Sequence, residues 1–257
     1  MDLKFRIIGE GQPLVLMHGL FGMSDNLTSF AKLLAEQGYA VYVTDLRNHG
    51  HSPHHEIHNY PSMAADVAQL IHDNNLQQPI VIGHSMGGKV AMQLANDFPE
   101  ISGAVVVIDI APYYYPVHHR EILDALLSVD LDTVKTRSEA EAVLKQSIHD
   151  FGTLQFLLKN LYWKEEKLGW RFNLHAINNQ IEAIGEATWP ATINAVPVCF
   201  IRGSKSKYID PYREAEILEH FPNAKFATVE GAGHWVHAEK PQELLSAVTA
   251  YLNSLSN

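Results

Sequence analysis

Short continuous apolar runs and amphipathic stretches alternate along this chain. The runs at 14–17, 39–46, 79–83, 103–112, 195–203 and 224–230 are rich in Val, Ile, Phe and Tyr, and the fourth reads GAVVVIDIAP with no polar side chain before Asp109. A strand that stays apolar without alternating is buried on both faces, as in a parallel sheet covered by helices on either side. The intervening stretches carry apolar residues at helical spacing, for example Met63, Val67, Leu70 and Ile71 in 63–75, or Val90, Met92, Leu94 and Ala95 in 87–97. Ser24 or Asp25 stands where a cap belongs for a helix over 26–38 ending at Gly38, and Ser62 where one belongs for 63–75. Segment 3–8 reads as an edge strand. The expected fold is α/β, a mostly parallel sheet with helices on both faces.

The alternation stops near 113 and resumes after 188. In between, helical patterns follow one another: EILDALLSV, SEAEAVLKQSIHD, TLQFLLKNLYWKEE and HAINNQIEAIGEA. The pattern predicts a core domain of 1–112 and 189–257 with a helical cap, 113–188, inserted after the strand that ends at Asp109. Ligands of open α/β sheets bind beyond the carboxyl ends of the strands, where this insertion would sit. Phe151, Phe156, Leu157, Leu161, Tyr162 and Trp163 would then supply an apolar wall, although each taken alone also reads as helix packing. Phe21, Phe156, Leu157 and Leu161 are the candidate substrate contacts.

Composition narrows the class. The 257 residues, 46% hydrophobic and 19% charged, suit one globular domain with a large core. A formal charge of −10 without a Lys/Arg cluster argues against nucleic-acid binding. No run is long enough for a membrane span, and MDLKFRIIGEG lacks an apolar signal core, so a cytoplasmic protein, most simply a monomer, is expected. The single cysteine, Cys199, lies in the apolar run PVCFIRG and reads as a core residue.

The chemistry centres on 79–89, PIVIGHSMGGK, an apolar run followed by a GxSxG pentapeptide and the start of a helix. This is the context of a nucleophile elbow, a strained strand-to-helix turn that presents Ser85 while Gly83 and Gly87 let strand and helix approach. A serine hydroxyl at neutral pH needs a base within hydrogen-bond reach, and the base needs an orienting carboxylate. His234, in the loop after the last strand, is the candidate base, with His237 as its competitor. Asp109 and Asp210 both stand at plausible strand ends as the acid. An oxyanion needs two backbone N–H donors, one from the residue after the nucleophile and one from a neighbouring loop, here Met86 and Leu20, with Phe21 the nearest competitor in HGLFG. The loop DLRNHGHSPHHEIH holds five histidines, which raises a metal site. Their spacing matches no HExxH pattern, so a polar loop braced by Arg47 and Asn48 is expected, with no metal or cofactor.

Together GHSMGGK, HGLFG, DLRNHGHS and AGHWVHAEKP resemble the α/β-hydrolase superfamily, and within it the small bacterial YbfF-type esterases, over nearly the whole chain. In the broad superfamily the acid lies three residues after a glycine on the later strand, a slot that here holds Ser206 after Gly203. The YbfF-type resemblance instead implies Asp109 as the acid and Ser206 as an auxiliary hydrogen-bonding partner, leaving Asp210 second. It implies a serine hydrolase of short-chain carboxylic esters, with acyl-CoA thioesters as a second substrate class, whose phosphates Lys89, Lys159, Lys164 and Lys167 could meet; each of these lysines also reads as a solvated charge. Same-fold lyases, acyltransferases and C–C bond hydrolases share such a triad, and a non-enzymatic binding protein of this fold is the remaining alternative.

Overall fold

A computed structural model describes residues 1–117, 119–191 and 194–255. In chain order the first half runs β1 (Phe5–Ile8), β2 (Gln12–Met17), α1 (Ser24–Ala35), β3 (Tyr39–Thr44), α2 (Tyr60–Asp73), β4 (Ile80–His84), α3 (Met86–Asp97) and β5 (Ala104–Ile108). An insertion follows, with α4 (Arg120–Leu127), α5 (Arg137–Leu144), α6 (Phe151–Leu158), β6 (Leu161–Lys164), β7 (Lys167–Trp170), α7 (Leu174–Asn179) and α8 (Ile181–Gly185). The last stretch holds β8 (Val198–Gly203), a 3-10 turn (Pro211–Arg213), α9 (Glu214–His220), β9 (Lys225–Val229), α10 (Val236–Glu239) and α11 (Pro241–Leu255).

Seven strands form one sheet in the order β1-β3-β2-β4-β5-β8-β9, parallel except for the antiparallel edge strand β1. Side chains of a strand point alternately to opposite faces, and the core divides accordingly. Val15, Met17, Val81, Val105, Val107 and Phe200 pack with α2, α3 and the insertion. Leu14, Leu16, Ile82, Val106, Ile108 and Ile201 pack on the other face with α1 and α11. Cys199 is buried in β8, where burial pushes its thiol up to about 12, as suits a core residue.

Four expectations need correction. Ser24 is the first helical residue rather than the cap: its N–H goes to Asp45 Oδ1 at 2.6 Å, while Met23 N–H donates to Asn26 Oδ1 at 2.8 Å. Ser62 lies inside α2, whose cap is Asn59, with Oδ1 accepting Ser62 N–H at 3.0 Å. The insertion is not wholly helical, because 161–170 folds into an antiparallel hairpin in which Leu161 pairs with Trp170.

Lys89 is the fourth, since it is buried rather than solvated. Its Nζ donates to the carbonyl oxygens of Tyr113 (3.0 Å), Gly185 (3.4 Å) and Glu186, and lies 4.9 Å from the Tyr115 ring centroid. It thereby ties α3 to both ends of the insertion. Burial pulls this ammonium down to about 7, against the opposing effect of Glu186. Its folded value is below the ordinary 10.5, so between these values the unfolded chain binds the extra proton and stability rises with pH. Urea denaturation of wild type and Lys89→Met at neutral pH and near pH 9 checks this: the variant is less stable throughout and loses part of the rise, and an unchanged rise would refute the assignment.

Candidate active site

Ser85 stands between β4 and α3 with φ 53° and ψ −119°, a conformation that L-residues avoid and that an elbow requires. The two flanking glycines make it possible. A Cβ on Gly83 would lie 2.0 Å from the Gly87 carbonyl oxygen, and one on Gly87 would lie 2.7 Å from the His18 carbonyl oxygen. Ser85 N–H donates to Ile108 O at 2.9 Å, which fixes the turn to the end of β5.

From Ser85 a chain of hydrogen bonds runs into the protein. Ser85 Oγ lies 3.1 Å from His234 Nε2, and His234 Nδ1 lies 2.7 Å from Asp109 Oδ2. Asp109, next after β5 and fully buried, accepts two further bonds, from Ser206 Oγ to Oδ2 at 2.5 Å and from Gly203 N–H to Oδ1 at 3.0 Å. Both carboxyl oxygens of Asp109 thus accept, and the bond from Nδ1 leaves His234 Nε2 facing Ser85 as an acceptor. Asp210 lies outside this chain. Its Oδ1 caps the 3-10 turn by accepting Tyr212 N–H at 2.9 Å.

The surroundings of His234 are built from His84 and Tyr208, which the sequence did not single out, and from His237, its competitor for the role of base. His84 donates from Nε2 to the His234 carbonyl oxygen at 2.8 Å and packs edge-on against His237 with 4.6 Å between centroids. Burial holds His84 well below its ordinary value and His237 down at about 4, each lowered further by neighbouring imidazoles. Both rings are uncharged at neutral pH and present no cation to an imidazolium at His234. The Tyr208 ring stacks on His234 at 4.2 Å, and its phenol is pushed up to about 12 by burial and by the Asp109 charge.

The HGLFG loop lies across from the elbow. Phe21 N–H donates to His49 Nε2 at 3.1 Å, which commits it elsewhere. Among the described hydrogen bonds none uses the N–H of Leu20 or Met86, and both residues border space next to Ser85. Phe21 itself has φ 58° and is held from the insertion by Asn160, whose Nδ2 donates to the Phe21 carbonyl oxygen at 2.8 Å. Phe21, Phe156 and Leu157 line a cavity of about 460 Å³ that reaches Ser85 and His234. Leu161 is not among its lining residues: strand pairing with Trp170 turns it to the core, while Phe151 and Trp163 are exposed.

The histidine-rich loop is split by burial. His49 and His58 are buried, whereas His51, His54 and His55 are exposed, and the described residues contain no group of three or more side chains able to hold a metal ion. Arg47 braces the loop by donating to the carbonyl oxygens of Ile57 and Ser62 and to Asp66, and Asn48 Oδ1 accepts His55 N–H at 2.7 Å.

An elbow serine, a histidine after the last strand and an intervening acid on a sheet of this order are features of one large class, and sequence comparison agrees: the α/β-hydrolase fold family matches residues 12–241. The chain belongs to that family. Within it, the chain is 40% identical over 246 residues to Esterase YbfF of Escherichia coli, covering 95% of this chain and 94% of that protein, and so belongs with the YbfF-type esterases. It is also 36% identical over 252 residues to the sn-1-specific diacylglycerol lipase ABHD11 of Danio rerio, covering 95% and 79%. Among solved structures, a marine microorganism esterase superposes with a TM-score of 0.94 at 38% identity, covering 98% of this chain and 99% of that one.

The elbow makes a direct prediction. Gly83→Ala forces a methyl group into the Gly87 backbone and should destabilise the fold by about 4 kcal/mol or more, in the range of buried steric conflicts. Thermal denaturation reads this, and a melting temperature within a degree or two of wild type would show that β4 and α3 are not in contact as described.

Proposed function

We propose that this protein, a carboxylic ester hydrolase, cleaves short-chain esters through an acyl-enzyme on Ser85. The observation that carries this reading is the unbroken hydrogen-bond chain from Gly203 and Ser206 through Asp109 and His234 to Ser85, opening on a cavity lined largely by apolar side chains. His234 Nε2 takes the Ser85 proton as Oγ attacks the carbonyl carbon. Leu20 and Met86 N–H groups receive the developing oxyanion, and Asp109 stabilises the imidazolium. The proton then passes to the departing alcohol, and a water activated by the same histidine releases the acid. Ser206 holds the carboxylate in place, and the segment 113–188 acts as a cap over the core of 1–112 and 189–257.

Oxoesters fit better than acyl-CoA. Lys89 is withdrawn into the interior, and Lys167 pairs with Asp132 at 2.7 Å, which leaves fewer cations for CoA phosphates. Among the described residues no helix is long and apolar enough to cross a membrane. A single buried thiol suits the reducing cytoplasm where we place the enzyme.

Burst kinetics with p-nitrophenyl acetate test the reading. Ser85→Ala should lose the burst, and Asp109→Asn should lower turnover by about 10⁴, the scale of a triad carboxylate. Asp210→Asn should stay near wild type, since its carboxylate only caps a turn. A crippled Asp210→Asn beside an active Asp109→Asn would transfer the acid to Asp210, and absence of turnover in the wild type would refute ester hydrolysis.

A further inference from the structure

Ser85 stands where two cavities of unequal size meet. The larger, about 460 Å³, is bordered by Phe156, Leu157, His234 and Trp235. The smaller, about 30 Å³, is bordered by Met86, Ile110, Val117, Ile181 and Ile184. Leu20, Ser85, His119 and Tyr208 border both, whereas His234 borders only the larger and Met86 only the smaller.

From this asymmetry we infer that the small cavity receives the acyl group and the large one the alcohol, so that the preferred substrates are acetyl- or propionyl-sized esters of larger apolar alcohols. The inference rests on the hydrolase reading above and adds the direction in which the ester lies. When the tetrahedral intermediate collapses, the bond from the carbonyl carbon to the alcohol oxygen breaks. That oxygen must accept the proton which His234 Nε2 took from Ser85 Oγ. It therefore sits within hydrogen-bond reach of Nε2, on the side bordered by His234. The carbonyl oxygen faces the Leu20 and Met86 N–H groups. The remaining substituent, the acyl chain, points away from His234 and past Met86 into the small cavity. Water then enters from the side the alcohol has left, the acid departs, and Ser85 and His234 regain their starting protonation.

Volume sets the length of chain each side accepts. The smaller cavity, about 30 Å³, is roughly twice the 10–15 Å³ that a single water requires, room for a chain of one or two carbons. A longer acyl chain has to displace Ile181, Ile184 or Val117, all packed against the core.

Hexyl acetate and ethyl hexanoate are isomers of near-equal hydrophobicity that differ in which side of the ester is long. With the full-length wild-type protein, kcat/KM should favour hexyl acetate by at least about tenfold, a discrimination that a few methylenes in an apolar pocket can supply. Val117→Ala or Ile181→Ala, which widen the small cavity, should raise the rate with ethyl hexanoate and narrow the ratio. Equal rates, or a preference for ethyl hexanoate, overturn the inference while leaving the hydrolase reading intact. Failure to cleave either isomer, or p-nitrophenyl acetate, overturns both.

Discussion

A carboxylate buried away from water needs hydrogen-bond donors in place of its hydration, and the carboxyl end of this sheet is built around that requirement at Asp109. The three donors come from separate parts of the chain: Gly203 ends β8, Ser206 follows it, and His234 lies beyond β9. Meeting the charge thus registers β5, β8 and the final loop against one another, and the same bond that satisfies Asp109 aims His234 at Ser85. Strain concentrates here too. Phe21, Ser85 and Asp109 all have φ between 53° and 58°, a conformation costing on the order of 1–3 kcal/mol for each non-glycine residue. Their neighbours hold them there: Ile108 and Ile201 carbonyl groups fix Ser85 and Asp109, while His49 and Asn160 clamp Phe21 from opposite sides.

The insertion is fastened to the same machinery. Asn160 joins it to the HGLFG loop, Lys89 joins its two ends to the helix after the elbow, and Tyr60 in α2 donates its hydroxyl to Ile184 O at 2.7 Å. All three are buried contacts between polar groups, which fix position more sharply than apolar packing because misalignment leaves a polar group unpaired. Residues of the insertion therefore border both spaces beside Ser85, and changes there alter what fits without disturbing the hydrogen-bond chain beneath.

The sheet was legible because its strands are buried on both faces and spell continuous apolar runs, and the elbow because GHSMG falls where such a run meets a helix. The residue at the end of β5 was legible as a candidate acid, but its choice over Asp210 came from resemblance, since residue order says nothing about which loop folds back to the histidine. Helix starts were misplaced where a cap came from Asn59 or from the backbone of Met23 rather than the nearest serine. The β6–β7 hairpin was hidden because Leu and Phe keep helical spacing through 154–161, while its turn rests on Glu165 at φ 56°, a residue that advertises no turn. Lys89 and His84 were unreadable for a different reason. Their burial depends on what the insertion and the final loop bring over them, which no local pattern encodes.

The most direct measurement is covalent labelling with diethyl p-nitrophenyl phosphate, followed by peptide mapping of the wild type and of Ser85→Ala, Asp109→Asn and Asp210→Asn. The account predicts a single phosphorylated residue, Ser85, labelled fast in the wild type and in Asp210→Asn, orders of magnitude more slowly in Asp109→Asn, and no adduct in Ser85→Ala. Labelling at another residue, or of Asp109→Asn at the wild-type rate, would contradict the proposed role of the Asp109–His234–Ser85 chain.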